Sequence, residues 1–361
     1  MVIVLFMARD TVLVLGAGAS YGARSTALRP PPIGKDLAGY LLRWFDANAP
    51  RDDDPLWSNA MYDPQDYVAP SKDPFRGDPD VRPVLVRAAQ LSKTSDTAFE
   101  EVMYDLLRDE DRRLLEKVNE VVCYALLGGR ESAFDAGQDL FDKFFAVLRP
   151  TLRAIITPNY DLLSEEALER VGLTYRYRVL ERDKAGADVV LDKFHGSANW
   201  FSPSGAGRGT TIEAAQRSAR PLKAVKQAHV LSYYNDHGVF PSIGNRRWNA
   251  VLELKHGHAS PVLVTYGPGK DALYGRPHLD TVRKECAAEL VQNPPRRVIA
   301  FGIRPPRDLG DDDAWEAICA VFRTVGSAKE YWSKNEEERR RMAAYGFDGR
   351  HGYFDELLAS L

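Results

Sequence analysis

Between Thr11 and Ser20 the chain reads Thr-Val-Leu-Val-Leu-Gly-Ala-Gly-Ala-Ser. Val12 to Leu15 form a short, unbroken apolar run of β-favouring residues, the pattern of a strand buried on both faces. The run halts at Gly16-Ala17-Gly18, and a small polar residue, Ser20, follows. A strand entering a glycine turn ahead of a helix brings backbone amides to where a phosphate can be held. The third glycine, Gly22, comes one residue later than in the dinucleotide fingerprint GxGxxG. By itself the turn therefore also fits a tight strand-to-helix connection in any α/β protein.

The same strand-then-glycine rhythm returns along the chain. Residues 153–157 read as a strand, 161–170 as a helix and 174–179 as a second strand. "ADVVLDKFHG" gives a strand ending at His195-Gly196, and 261–269 and 296–303 give two more apolar runs broken by glycine at their C-terminal ends. In a parallel sheet such ends share one edge, where ligands bind. The expected fold is therefore α/β, a Rossmann-like parallel sheet. Leu37, Leu41 and Leu42 recur at helical spacing within 33–45. Further helical patterns at 97–127 and 140–148 complete an α-helical module inserted at about 45–150. Within it, residues 51–80 carry five prolines and eight aspartates with little periodicity, and read as a long irregular insertion. One domain is expected over residues 1–325, followed by a short helical tail over 326–361.

The bulk properties narrow the function classes. With 48 basic and 51 acidic residues among 361, the net charge is −3, so no global field recruits nucleic acid or acidic lipid. The mildly basic stretch up to residue 230 reads as a solvated helix face, so no direct nucleic-acid binding is expected. Cys123, Cys286 and Cys319 form no CxxC pair. No thiolate zinc site or other metal is expected, and the sparse cysteines fit a reducing cytosol. No apolar run reaches the length of a membrane span. "MVIVLFM" lacks the basic flank of a signal peptide, and translation from either Met1 or Met7 fits the pattern.

Two later motifs give the first turn its company: "TPNYD" at 157–161 and "FHGSANW" at 194–200. With the Gly-Ala-Gly-x-Ser turn and the glycine-bearing strand "VIAFGI", they occur in an order that resembles the sirtuin-like superfamily. The likeness is to its bacterial NAD-consuming, antiphage-defence branch, and it spans residues 11–320. It implies NAD+ as a substrate, held by Gly16, Ala17, Gly18, Ser20, Thr157, Asp161, Gly196, Gly267, Gly302 and Asp308. Asp161 would hold the nicotinamide carboxamide, though it equally suits an N-cap on the following helix. Asp308, or one of Asp311 to Asp313, would meet a ribose diol, and Asp311 to Asp313 also suit a helix cap. The four-cysteine zinc ribbon and the GIPDFR segment of protein-deacylating sirtuins are missing, and Pro158 replaces the glutamine of TQN. These departures weaken the case for an acyl-lysine groove.

The residues also make chemical sense without the resemblance. Loss of nicotinamide from NAD+ passes through an oxocarbenium-like ribose, and the leaving group is already cationic. Asn159 offers a donor and an acceptor to orient ribose and water, and His195 suits a base that is neutral near pH 7. These two are the expected catalytic residues of an NAD+ glycohydrolase. A zinc-free deacylase and a non-catalytic nucleotide sensor are the alternatives. The resemblance further implies a cytoplasmic effector controlled by homo-oligomerisation or by a partner, with a HerA-type ATPase first and an Argonaute-type protein second. Residues 51–80 and 202–211 are the segments expected to move.

Overall fold

The computed structural model describes residues 9–22, 34–48, 80–95, 98–109, 114–115, 117–119, 121–122, 126, 140–178, 186–203, 223–224, 259–263, 277–306 and 313–361. Its frame is a seven-stranded sheet in which every neighbouring pair is parallel. The strands are β1 (Thr11–Leu15), β2 (Leu152–Thr157), β3 (Tyr175–Tyr177), β4 (Val189–Lys193), β8 (Arg297–Phe301), β9 (Ala328–Trp332) and β10 (Asp348–Arg350). They lie in the order β10-β9-β8-β1-β2-β4-β3. The fold is α/β and Rossmann-like, as the strand-and-glycine rhythm implies.

All five residues of β1 are buried, as are the last four of both β2 and β8. Burial on two faces explains the unbroken apolar runs. One face carries α7 (Pro277–Gln292) over Val12, Ala154, Val190 and Asp192. On the other, α6 (Leu163–Arg170) sends Glu165 to Lys193 and Tyr177. Between β1 and β2 the chain forms α1 (Ala17–Gly22), α2 (Gly34–Asn48), α3 (Val81–Leu91), α4 (Ala98–Arg108) and α5 (Leu140–Leu148). In α5, Phe141, Phe144, Phe145 and Leu148 are buried, the i, i+3, i+4, i+7 stripe of a core-facing helix.

Two sequence expectations change. The run beginning at Pro261 does not join the parallel sheet. It lies in β7 (Ala259–Leu263), antiparallel to β5 (Gly196–Pro203), which also pairs with β6 (Lys223–Ala224) in a separate three-stranded sheet. An apolar run specifies a strand and not its partner. The position beside β1 is taken by β8, which pairs with it from Thr11–Arg297 to Leu15–Phe301.

The segment 326–361 is also more than a helical tail. Its β9 pairs along the whole of β8, and its β10 forms the sheet edge. Between them α9 (Glu336–Ala343) is capped by Asn335, whose side chain accepts from the amides of Glu337 and Glu338. Arg340 pairs with Glu336 and Glu337 on its surface. α8 (Asp313–Thr324) precedes this segment and α10 (Phe354–Ser360) ends it.

Candidate functional site

In the sheet β1 is flanked by β2 on one side and β8 on the other, so the strands β2 to β4 lie on one side of the β1–β8 pair and β9 and β10 on the other. A crevice outside the carboxyl ends of strands at such a division is where open α/β sheets bind ligands. The Gly-Ala-Gly turn leaves β1 there, and Gly302 follows β8. The two turns touch backbone to backbone. The Gly16 amide donates to the Phe301 carbonyl at 3.1 Å, and the Gly18 amide to the Gly302 carbonyl at 2.9 Å.

This contact explains the glycines. A Cβ on Gly16 would lie 2.3 Å from the Gly302 oxygen, and one on Gly302 would lie 2.0 Å from the Ala19 nitrogen. Gly302 also has φ +65°, a left-handed conformation that only glycine adopts at no steric cost. The amides of Gly16 and Gly18 are thus spent on the protein itself. Among the turn residues Ala17 is exposed, whereas Ser20 is buried.

The motif at the end of β2 grips the same turn. Thr157 donates its hydroxyl to the Leu15 carbonyl at 2.6 Å and accepts from the Asn159 amide at 3.0 Å. Asn159 then donates through Nδ2 to the Gly16 carbonyl and to Ser20 Oγ, both at 2.9 Å. The sequence patterns G-A-G-x-S and T-x-N are therefore two halves of one hydrogen-bonded constellation. Both protons of the Asn159 amide are committed. Its Oδ1 meets no hydrogen-bond donor among the described residues and is the half left to meet a ligand.

His195 sits where the chain leaves the parallel sheet. β4 ends at Lys193, the Phe194 amide donates to the Thr157 carbonyl at 3.2 Å, and Gly196 opens β5 with φ +85°. The turn thus hangs from the end of β2, beside the Asn159 loop. His195 is 6% exposed, with its ring edge-on to Phe194 at 4.7 Å and near Tyr160 at 6.3 Å. Ser197, fully buried, donates to the Tyr160 carbonyl at 3.5 Å. Asp161 accepts the Leu163 amide at 2.9 Å, one residue ahead of Leu162, which occupies the cap position of α6. Gly16, Gly18, Ser20, Thr157, Asn159 and Gly302 are joined directly, and His195, Gly196 and Asp161 flank them. Gly267, Asp308, Asp311 and Asp312 lie outside the described residues, as do most of 51–80 and 202–211, and Asp313 opens α8.

One feature of the site is absent from the motifs. Lys193 and Glu165, 1% and 4% exposed at their side chains, form a 2.6 Å ion pair beneath the Asn159 loop. Lys193 also donates to the Asp161 carbonyl, and Tyr177 donates to Glu165 at 3.1 Å. Removing one partner of such a buried pair costs about 3–5 kcal/mol, because the other charge is stranded. The network anchors Asp161, two residues from Asn159. Its sequence signal was a lysine standing in the apolar strand "VVLDKF".

Compared with family models the chain matches none, and no curated protein sequence matches it. Among the described residues no helix is long and apolar enough to cross a membrane.

Proposed function

We propose that the chain is an NAD+ glycohydrolase whose substrate lies over the β1–β8 turns. The observation that carries this reading is Asn159, pinned between Gly16 and Ser20 with its carbonyl oxygen unspent among the described residues, near the buried His195. In the proposed reaction the bond between ribose C1′ and the nicotinamide nitrogen breaks, and its electron pair leaves with nicotinamide. A water oxygen bonds to C1′, and its proton passes to the His195 imidazole. Asn159 Oδ1 accepts from a ribose hydroxyl or from that water. Asp161 offers one carboxylate oxygen to the carboxamide while the other accepts the Leu163 amide. Gly16, Gly18 and Gly302 allow the two turns to pack closely, and exposed Ala17 faces the substrate.

The resemblance to bacterial antiphage NADases supports a cytosolic effector role. Control would then come from a homo-oligomer or a partner, a HerA-type ATPase first and an Argonaute-type protein second. The reading is tested by incubating the purified full-length chain with NAD+ and no acyl-peptide, alone, across protein concentration and with the product of a neighbouring gene. It requires equimolar nicotinamide and ADP-ribose under at least one condition. NAD+ loss that depends on an acyl-lysine peptide would instead make the chain a deacylase, and binding without turnover would make it a sensor.

A further inference from the structure

On the α7 face of the sheet, sharing no residue with the candidate site, lies a cavity of about 70 Å³. Its lining includes three arginines, Arg153, Arg176 and Arg178, with Asp192, Glu289 and Cys286. Strand alternation accounts for Arg176 and Arg178, which share a face with Val190 and Asp192. Arg153 arrives by another route. β1 and β2 slip register between Thr11–Leu152 and Val12–Ala154, so β2 carries one extra residue there, Arg153. A β-bulge of this kind re-aims a side chain that regular pleating would send to the opposite face.

The charges are unequally served. Arg178 holds Asp192 through two hydrogen bonds of 2.6 and 2.9 Å, and the Asp192 side chain is 1% exposed. Burial works against the Arg178 charge, but Asp192 outweighs it and holds the pKa above its ordinary value. Burial likewise pulls Arg153 below its ordinary value, and attraction to Glu289 only partly offsets this. Among the described residues, the side chains of Arg153 and Arg176 make no hydrogen bond or ion pair. Among the described residues three cations thus face two carboxylates in a space with room for a small anion, and neither carboxylate engages the guanidiniums of Arg153 and Arg176 in such a contact.

We propose that this cavity binds a phosphate group, free or at the end of a small metabolite, between Arg153 and Arg176, with Arg178 held in place by Asp192. Guanidinium is the side chain best matched to phosphate oxygens. The inference is independent of the NAD+ reading, because it involves none of the same residues. Its test is calorimetric titration of the full-length protein with orthophosphate at constant ionic strength, chloride serving as the balancing anion. A parallel titration uses ribose 5-phosphate. Binding of orthophosphate alone marks a free-phosphate site, and binding of both, or of the ester alone, marks a site for phosphate esters. Arg176→Gln, at a partly buried position on the edge strand, and Arg153→Gln should each weaken binding at least about tenfold, the worth of one charge-assisted contact. Failure of both probes to bind the wild type would overturn the proposal, as would unchanged affinity in both variants.

Discussion

At the residue scale, Gly302 illustrates how a motif position is fixed by contact geometry. Any side chain there must adopt a left-handed backbone and displace the Ala19 amide. Gly302→Ala should therefore cost about 2–5 kcal/mol, combining left-handed strain with overpacking. Chemical denaturation would measure this as a lowered midpoint with an unchanged slope. Asn159 teaches a complementary lesson. The sequence reading assigned it both a donor and an acceptor for substrate, but the donor half holds Gly16 and Ser20. A residue type declares what a side chain can offer. How much of that the protein itself consumes emerges only when 143 positions of chain separation close into one contact.

At the scale of elements, the strands are tied at the edge opposite the site. Asp188, just before β4, accepts from Arg9 at 2.6 Å and from the amide and hydroxyl of Thr174 at 2.8 and 2.7 Å. It thereby links the entries to β1, β3 and β4. Burial is the largest single influence and opposes its charge, but the Thr174 hydrogen bonds and Arg9 together prevail and hold its pKa below the ordinary carboxylate value. A depressed folded-state pKa contributes stability above the unfolded value of about 3.9, and that contribution is lost as pH falls through the folded value. Asp188→Asn should thus lower stability near pH 7 by about 1 kcal/mol, given a partly exposed group. The pH-dependent part of the difference from wild type should shrink as pH falls below the unfolded carboxylate value and through the lower folded one. Unfolding free energies measured across pH 2–7 would check both statements. The strands β1, β2 and β8 were legible because burial on two faces leaves an apolar run. The partner of β7 and the bulge at Arg153 were not, since pairing and register depend on residues far away in the chain.

At the scale of the whole molecule, the C-terminal segment belongs to the core. Tyr331 in β9 donates to the Ile303 carbonyl at 2.7 Å, and Arg341 in α9 donates to the Pro306 carbonyl. Both brace the chain that follows Gly302. Phe354 in α10 packs edge-on against Phe141, Phe144 and Phe301 at 5.2–5.4 Å between ring centroids, joining the segment to α5 and β8. This role is hidden in the sequence because "AKEYW" and "DGR" are short and carry charged residues, as befits strands at a sheet's rim. Phe354→Ala should cost about 3–5 kcal/mol and lower one cooperative transition for the entire protein. Calorimetry resolving a separate, earlier transition for the C-terminal segment would show it to be an appendage.

The central proposal is that Asn159, held by the turn after β1, and His195, beside the Asn159 loop at the end of β4, cleave NAD+. It is tested most directly by the rate of nicotinamide release from NAD+ by His195→Ala beside wild type, under the condition that gives wild-type turnover and with folding verified by circular dichroism. The account predicts a fall of about 10²–10⁴-fold in that rate, the usual worth of a positioned general base. A folded variant that releases nicotinamide at the wild-type rate would contradict it.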